Sequence, residues 1–428
     1  MAPSTAPRRL AVAAAGVSSA ALVLAALTGC APGSDADVTI RIAMGASGDI
    51  VDSKFEVLKD QYEDLYPDRE VEIIVQEDDI YQTTGLATLL TSREAPDAYF
   101  EWSGPRMRNH VADGDGADLT EYLQGDGFAG RFDEGAFTGM DVDGSGIYMV
   151  PWTGDVTDVV WYNKGIFDSL GLSVPTTWDE FMDVCAAIKA SGVTPIVEGN
   201  KDQWPVGNWA SQIASRVVGE DVYAQTMNGE APMNSPEMAD ALGYIAEIAE
   251  KGYINNSVNA LADDEANTQF FLGKAAMIVI GSWLMSDAAT DADGLEFDYF
   301  NTPALEGAGD QSSVLGISTG FMVNAKSEHI EETMDFLALV ASADGTKLWA
   351  EAGLAPMTVD PFEGVEADER TVSLATLMST ASTVVAPADS GYDIEVAAAF
   401  YDAVATVIGG GDVQEALDTA EKRVAELR

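Results

Sequence analysis

Nucleophilic and metal-ligating side chains are scarce in this sequence, which has two cysteines and two histidines among 428 residues. Cys30 and Cys185 cannot build a disulfide framework, and no Cys/His cluster of the kind that holds zinc is present. Neither an H-E-x-x-H nor a P-loop stretch occurs, so metalloprotease and nucleotide chemistry have no foothold. Positive charge is scarce as well. The 22 Lys and Arg stand against 71 Asp and Glu, a formal net charge of −49, and such a surface repels nucleic acid and anionic lipid headgroups. Acidity of this degree can signal disorder, but hydrophobic residues make up 47% of the chain and helical and strand periodicities run throughout. A folded protein with an acidic skin is expected.

The long apolar run is residues 10–27, preceded by Arg8 and Arg9 and followed by Leu27-Thr28-Gly29-Cys30. A charged start, a short apolar stretch and small residues at its end describe a secretory signal rather than a membrane span. Its ending resembles a bacterial lipobox. That resemblance implies a signal peptide over residues 1–29, acylation of Cys30 and a tether over 30–37, the alternative being an ordinary cut near Ala31. Cys185 stands between Val184 and Ala186 on an amphipathic pattern and reads as a small buried hydrophobe rather than a nucleophile, since only His110 and His329 could act as its base.

Beyond the tether, strand and helix patterns alternate. Residues 38–43, 71–75 and 98–100 read as strands, and residues 52–65 read as a helix with Phe55, Leu58, Tyr62 and Leu65 on one face. Val159, Val160, Trp161 and Tyr162 form a buried strand that leaves through Asn163-Lys164-Gly165, followed by a short helix ending at Gly171. Thr177-Trp178-Asp179-Glu180 is a capping box, so a helix starts there and runs toward Gly192. Further strands are expected at 195–197, 276–280 and 316–323, and helices at 236–252, 331–342, 344–351, 394–408 and 413–427.

The wording of residues 146–181, GIYMVPWTGDVTDVVWYNKGIFDSLGLSVPTTWDEF, resembles the family 1 extracellular solute-binding proteins of ABC importers, the group that includes the maltose-binding protein. Three further blocks resemble the same family in the right order: PDAYFEW at 96–102, FFLGKAAMIVIGSW at 270–283 and GISTGFMVNAKSEHIEETMDFLALVAS at 316–342. The resemblance covers essentially the whole mature chain. It implies an α/β, two-lobe periplasmic-binding-protein-like fold of the class II type, each lobe a sheet flanked by helices, with a hinged cleft between. Crossings near Pro151, Ile280 and Gly316 would divide the chain into an N-terminal lobe of 38–151 plus 280–316 and a C-terminal lobe of 152–279 plus 317–428. It also implies a monomeric carbohydrate-binding subunit on the outer face of the cell membrane, delivering its ligand to ABC permease subunits without catalysis, cofactor or metal.

Catalytic patterns have weaker support. Gly316-Ile317-Ser318-Thr319-Gly320 matches G-x-S-x-G, but the hydrolase fold needs an acid and then a histidine later in the chain, and the only later histidine is His329 inside the same block. A strand between lobes is the better reading. Asp141-Val142-Asp143-Gly144-Ser145-Gly146 opens like a calcium loop, yet its twelfth position is Trp152 instead of glutamate, which favours a hairpin turn. Adjacent acids such as Asp78 and Asp79 could suggest a glycosidase, although in so acidic a chain they are mostly solvated.

Aromatics point to the ligand. Trp102, Trp152, Trp204, Trp209 and Trp283 fall after expected strands or in Gly/Pro-containing loops, whereas Trp161, Trp178 and Trp349 lie within elements and suit the core. A flat aromatic face covers the C–H face of a pyranose while carboxylates and amides bond its hydroxyls. Loops at the carboxyl ends of strands are where α/β lobes bind ligands. The resemblance therefore implies a carbohydrate, an oligosaccharide or polyol, held by Ser47, Asp49, Glu77, Asp78, Trp102, Trp152, Asp155, Trp204 and Trp283, with Tyr392 and Asp389 as weaker candidates. Arg106 and Arg108 are among the few cations near enough to clamp a ligand carboxylate. A surface-anchored glycan hydrolase, or a binding subunit for another polar solute or for a sensor, is the alternative.

Overall fold

The computed structural model describes residues 38–428 apart from positions 143 and 293; Cys30, the signal and the tether lie outside the described residues, and the expected Asp141 loop is only partly within them. Ten strands form two sheets among the described residues. The first holds β1 (Val38–Gly45), β2 (Arg69–Gln76), β3 (Ala98–Trp102), β4 (Val150–Val156), β9 (Val314–Val323) and β10 (Val384–Val385). The second holds β5 (Val159–Asn163), β6 (Thr194–Ile196), β7 (Ala275–Ile280) and β8 (Phe297–Phe300).

In the first sheet the order is β10-β9-β3-β1-β2, with β4 also paired to β9. β1 runs parallel to β2 and β3, and β9 runs antiparallel to β3 and β4. Parallel neighbours require crossover connections, and the helix Asp49–Leu65 supplies the first one. Its Val51, Phe55, Leu58 and Tyr62 recur at helical spacing and are buried in one core with Ile40, Ile42, Phe321 and Trp349. The second sheet has the order β6-β7-β5-β8. Trp161 at its centre is fully buried and donates from Nε1 to the Ile280 carbonyl at 3.0 Å, so its one polar atom is satisfied. The helix Trp204–Val218 is buried almost all round, packed against the helices Pro236–Glu250 and Ile394–Ile408. Gly207 permits that packing, because a Cβ there would stand 2.6 Å from the Tyr401 ring.

The capping box is complete. Thr177 accepts from the Glu180 amide and Glu180 accepts from the Thr177 amide at the head of the helix Trp178–Ala190. Cys185 on that helix is fully buried, and burial pushes its thiol up. Asn163-Lys164-Gly165 is not a separate turn: Asn163 caps the helix Lys164–Leu170 by accepting from the Ile166 amide. Gly316 to Gly320 lies within β9, with the Ser318 carbonyl accepting from Ser103 N–H, and not at a strand-to-helix turn. Trp209, expected in a loop, sits inside the helix Trp204–Val218 and packs against Trp178 and Phe181, because Pro205 starts that helix instead of breaking it.

The sheets divide the chain differently from the expected lobe boundaries. Residues 297–300, expected in the N-terminal lobe, pair with β5 in the second sheet. Residues 317–323, expected in the C-terminal lobe, belong to the first sheet, and Met334, Phe336, Leu337 and Trp349 join the first-sheet core. The reason is that the return to the first sheet comes with β9, whose register reaches from Val156 to Ala98.

Candidate functional site

A cavity of about 580 Å³ is lined from both sheets, a size suited to a small ligand. The turn after β1 brings Ser47 and Asp49, the turn after β2 brings Glu77 and Asp78, and β3 ends in Trp102. All three positions are carboxyl ends of neighbouring parallel strands, where backbone and side chains converge on the space above the sheet. Between Pro151 and Gly154 the register of β4 slips, so that Trp152 and Thr153 oppose the single residue Thr319. This bulge turns the strand locally, and Trp152, Thr153 and Asp155 all line the cavity.

The far wall comes from elements around the second sheet. Trp204 stands at the start of the helix Trp204–Val218 and Trp283 in the turn after β7, their ring centroids 5.7 Å apart with planes inclined by 57°. Asp263, Asp264, Asn267 and Phe271 line the cavity from the helix Asp263–Phe271, and Asp287 and Asp291 line it from the helix Leu284–Asp291. Acids in the first turn of a helix are commonly solvated and favoured by its dipole. These differ in sharing one concave space with the acids of a second helix.

Four carboxyl groups of the cavity, those of Asp155, Asp264, Asp287 and Asp389, resist ionisation. Burial pushes Asp155 up to about 6, against hydrogen bonds donated by Thr153 Oγ1 at 3.0 Å and Ser282 Oγ at 3.2 Å. Burial, followed by the charges of Asp264 and Asp291, pushes Asp287 up to about 7, while Asn267 Nδ2 donates to it at 3.4 Å. Asp264 is raised by burial and by the charge of Glu77. Asp389 is raised by burial and eased by the Ser390 hydroxyl at 2.9 Å. Desolvation disfavours the charged form, and like charges add to it.

Trp102 is held from behind. The Arg106 guanidinium lies 4.9 Å from its ring, and Arg106 Nε donates to Glu101 Oε1 at 3.0 Å. His110 Nε2 is 3.0 Å from Glu101 Oε2, and the Trp102 amide donates to Oε1. Glu101 is fully buried; burial alone raises its carboxyl, but Arg106 and His110 outweigh that and hold it below the ordinary value. Arg106 is therefore engaged by Glu101 and by the Gln82 carbonyl, and neither it nor Arg108 lines the cavity.

The structure brings Ser47, Asp49, Glu77, Asp78, Trp102, Trp152, Asp155, Trp204 and Trp283 to one cavity, together with Asp389. Trp152 is also a core residue, 5.6 Å from Phe55 and 5.5 Å from Trp349. Tyr392 is not among the lining residues; its ring packs edge-on against Tyr223 at 5.3 Å. Sequence reasoning missed Asp264, Asn267, Phe271, Asp287 and Asp291. The three- and four-residue spacings of Asp264, Asn267 and Phe271 and of Asp287 and Asp291, which put each set on one helix face, were the signal that could have found them.

A family model described as bacterial extracellular solute-binding protein matches residues 45–347. An uncharacterized ABC transporter extracellular-binding protein of Pyrococcus horikoshii is 30% identical over 46% of this chain and 44% of its own length. The osmoprotective compounds-binding protein of Synechocystis is 24% identical over 82% of this chain and 85% of its own. The multiple sugar-binding protein of Streptococcus mutans is 25% identical over 52% and 53%, so the chain spans about half the length of two of these three relatives. Among solved structures, one from work on xylan utilization by Caldanaerobius polysaccharolyticus superposes with a TM-score of 0.82 at 25% identity, covering 90% of this chain and 99% of that one. A chitin oligosaccharide binding protein gives 0.81 at 22% identity, over 92% and 99%, a likeness of fold.

Proposed function

The chain belongs to the bacterial extracellular solute-binding protein family, and from that premise we propose that it captures a carbohydrate, an oligosaccharide, and delivers it to an ABC permease. The observation that carries this reading is the pair Trp204 and Trp283 standing in a cavity rich in carboxylates, because a stacked ring and acceptors for hydroxyls are the two halves of sugar recognition. Relatives whose names state sugar binding support it. In this reading β4 and β9 run from one lobe into the other, the first lobe holding residues 38–151 with 317–351 and the second lobe being built around the second sheet. Ligand bridging the two walls favours the closed arrangement, which is the form that docks on the permease. Cys30 carries the lipid that keeps a monomer at the outer face of the membrane.

A thermal-shift screen of mono- and oligosaccharides tests the reading, since a ligand bound by the native state raises its stability by mass action. Mass spectrometry after prolonged incubation should then recover the best ligand intact. A screen without a single stabilising saccharide refutes the proposal, and steady release of reducing ends would make the protein a glycan hydrolase.

A further inference from the structure

The cavity holds far more carboxyl groups than a neutral sugar requires. Nine of its lining residues are Asp or Glu and none is Lys, Arg or His. The acidity of the chain as a whole does not account for this, because an acidic skin is solvated at little cost, whereas Asp155 and Asp389 are half-buried and desolvated enough that charge is costly. The Arg106 guanidinium behind Trp102 is hydrogen-bonded to Glu101, and its charge also eases Asp389. Glu77, Asp264, Asp287 and Asp291 come from three separate elements, and the charge of Glu77 raises Asp264 while those of Asp264 and Asp291 raise Asp287. A bound metal is a poor answer, since among the described residues no group of three or more His, Cys, Asp or Glu is arranged to hold one.

Hydrogen-bonding capacity leans the same way. Ionised carboxylates only accept. Asn267 Oδ1, on a residue 4% exposed, is a further acceptor with no partner in the protein, and a buried polar group of this kind is ordinarily paired. The indole Nε1 atoms of Trp152 and Trp204 are donors without partners, and the hydroxyl oxygens of any sugar can serve them. The acceptors outnumber them, so the ligand must bring many donors, and one that also carries positive charge offsets the mutual repulsion of the acids. An ammonium has three donors and no acceptor, and it is attracted to the face of an aromatic ring.

We infer that the carbohydrate taken by this cavity carries protonated amino groups, an amino sugar or a short oligomer of one, with Asp264 and Asp287 facing the ammonium and Trp204 and Trp283 against the rings. This rests on the carbohydrate reading and narrows it.

Calorimetric titration at about pH 7, where an aliphatic amine is still protonated and the raised acids of the cavity are more fully ionised, compares saccharides matched in ring and linkage, such as oligomers of glucosamine and of N-acetylglucosamine. The amine-bearing member of the best pair should bind at least about tenfold more tightly, roughly 1.4 kcal/mol, and added salt should narrow the gap. Asp264→Asn and Asp287→Asn should each weaken the amine-bearing member more than the neutral member, so that the preference shrinks; two variants guard against one that folds poorly. Equal or tighter binding of the neutral members overturns the inference and leaves the carbohydrate reading standing. Absence of binding by every saccharide overturns both.

Discussion

Gly281→Ala tests the aromatic platform without deleting it. A Cβ at position 281 would lie 2.1 Å from Cζ3 of Trp283, with Cη2 and Cε3 at 2.3 and 2.4 Å. No real contact is that short, and the ring is the movable partner, so it must shift by about 1.4 Å to reach an ordinary carbon separation of about 3.5 Å. That displacement disrupts the Trp204 contact, which stands at 5.7 Å and is worth about 0.5 to 1.5 kcal/mol. Loss of an aromatic anchor at a binding surface costs about 2 kcal/mol or more, roughly thirtyfold in affinity. Calorimetry with the best saccharide from the screen should therefore show Kd raised about thirtyfold. The melting temperature of the ligand-free protein should fall by only about 2 °C. Affinity within about twofold of the parent, with tryptophan fluorescence unchanged, would show that Trp283 is not part of the platform.

Trp204→Ala should weaken saccharide binding by a similar factor, whereas Trp161→Ala, in the fully buried centre of the second sheet, should leave affinity for the folded fraction intact and cost about 3 to 5 kcal/mol in denaturant unfolding. Asp155 and Asp287 hold protons more tightly in the native state than their ordinary value of 3.8, up to about 6 and about 7. Native protein thus binds more protons than unfolded protein between those values, and stability falls as pH rises through that window. The ligand-free melting temperature should be higher near pH 5.5 than near pH 7.5, as a rough window; a rise with pH would contradict the burial of these acids. Cys30→Ala should release the protein into the medium or leave it unprocessed, and membrane retention without lipid on the mature N-terminus would refute the anchor.

Local chemistry is what the sequence by itself determined. The Thr177 and Glu180 side chains cap a helix because hydroxyl and carboxylate need only a three-residue spacing to do so. Phe55, Leu58 and Tyr62 declare a buried helix face by period, and Trp161 declares a central strand by its β-branched neighbours. The turns after β1 and β2 were legible as ligand positions, since parallel strands present their carboxyl ends together. Tertiary structure decided the rest. The antiparallel pairing of β9 with β3 joins residues more than two hundred positions apart, and no local pattern states which sheet a buried strand will join. The same holds for charge. Nothing local separates Asp264, Asp287 and Asp291 from the many other acids of the chain until packing places them around one cavity with Glu77, while Tyr392 is drawn away to Tyr223. Whether a carboxylate is a cheap solvated charge or a costly buried one depends on how much water the fold leaves around it, and only the folded chain determines that.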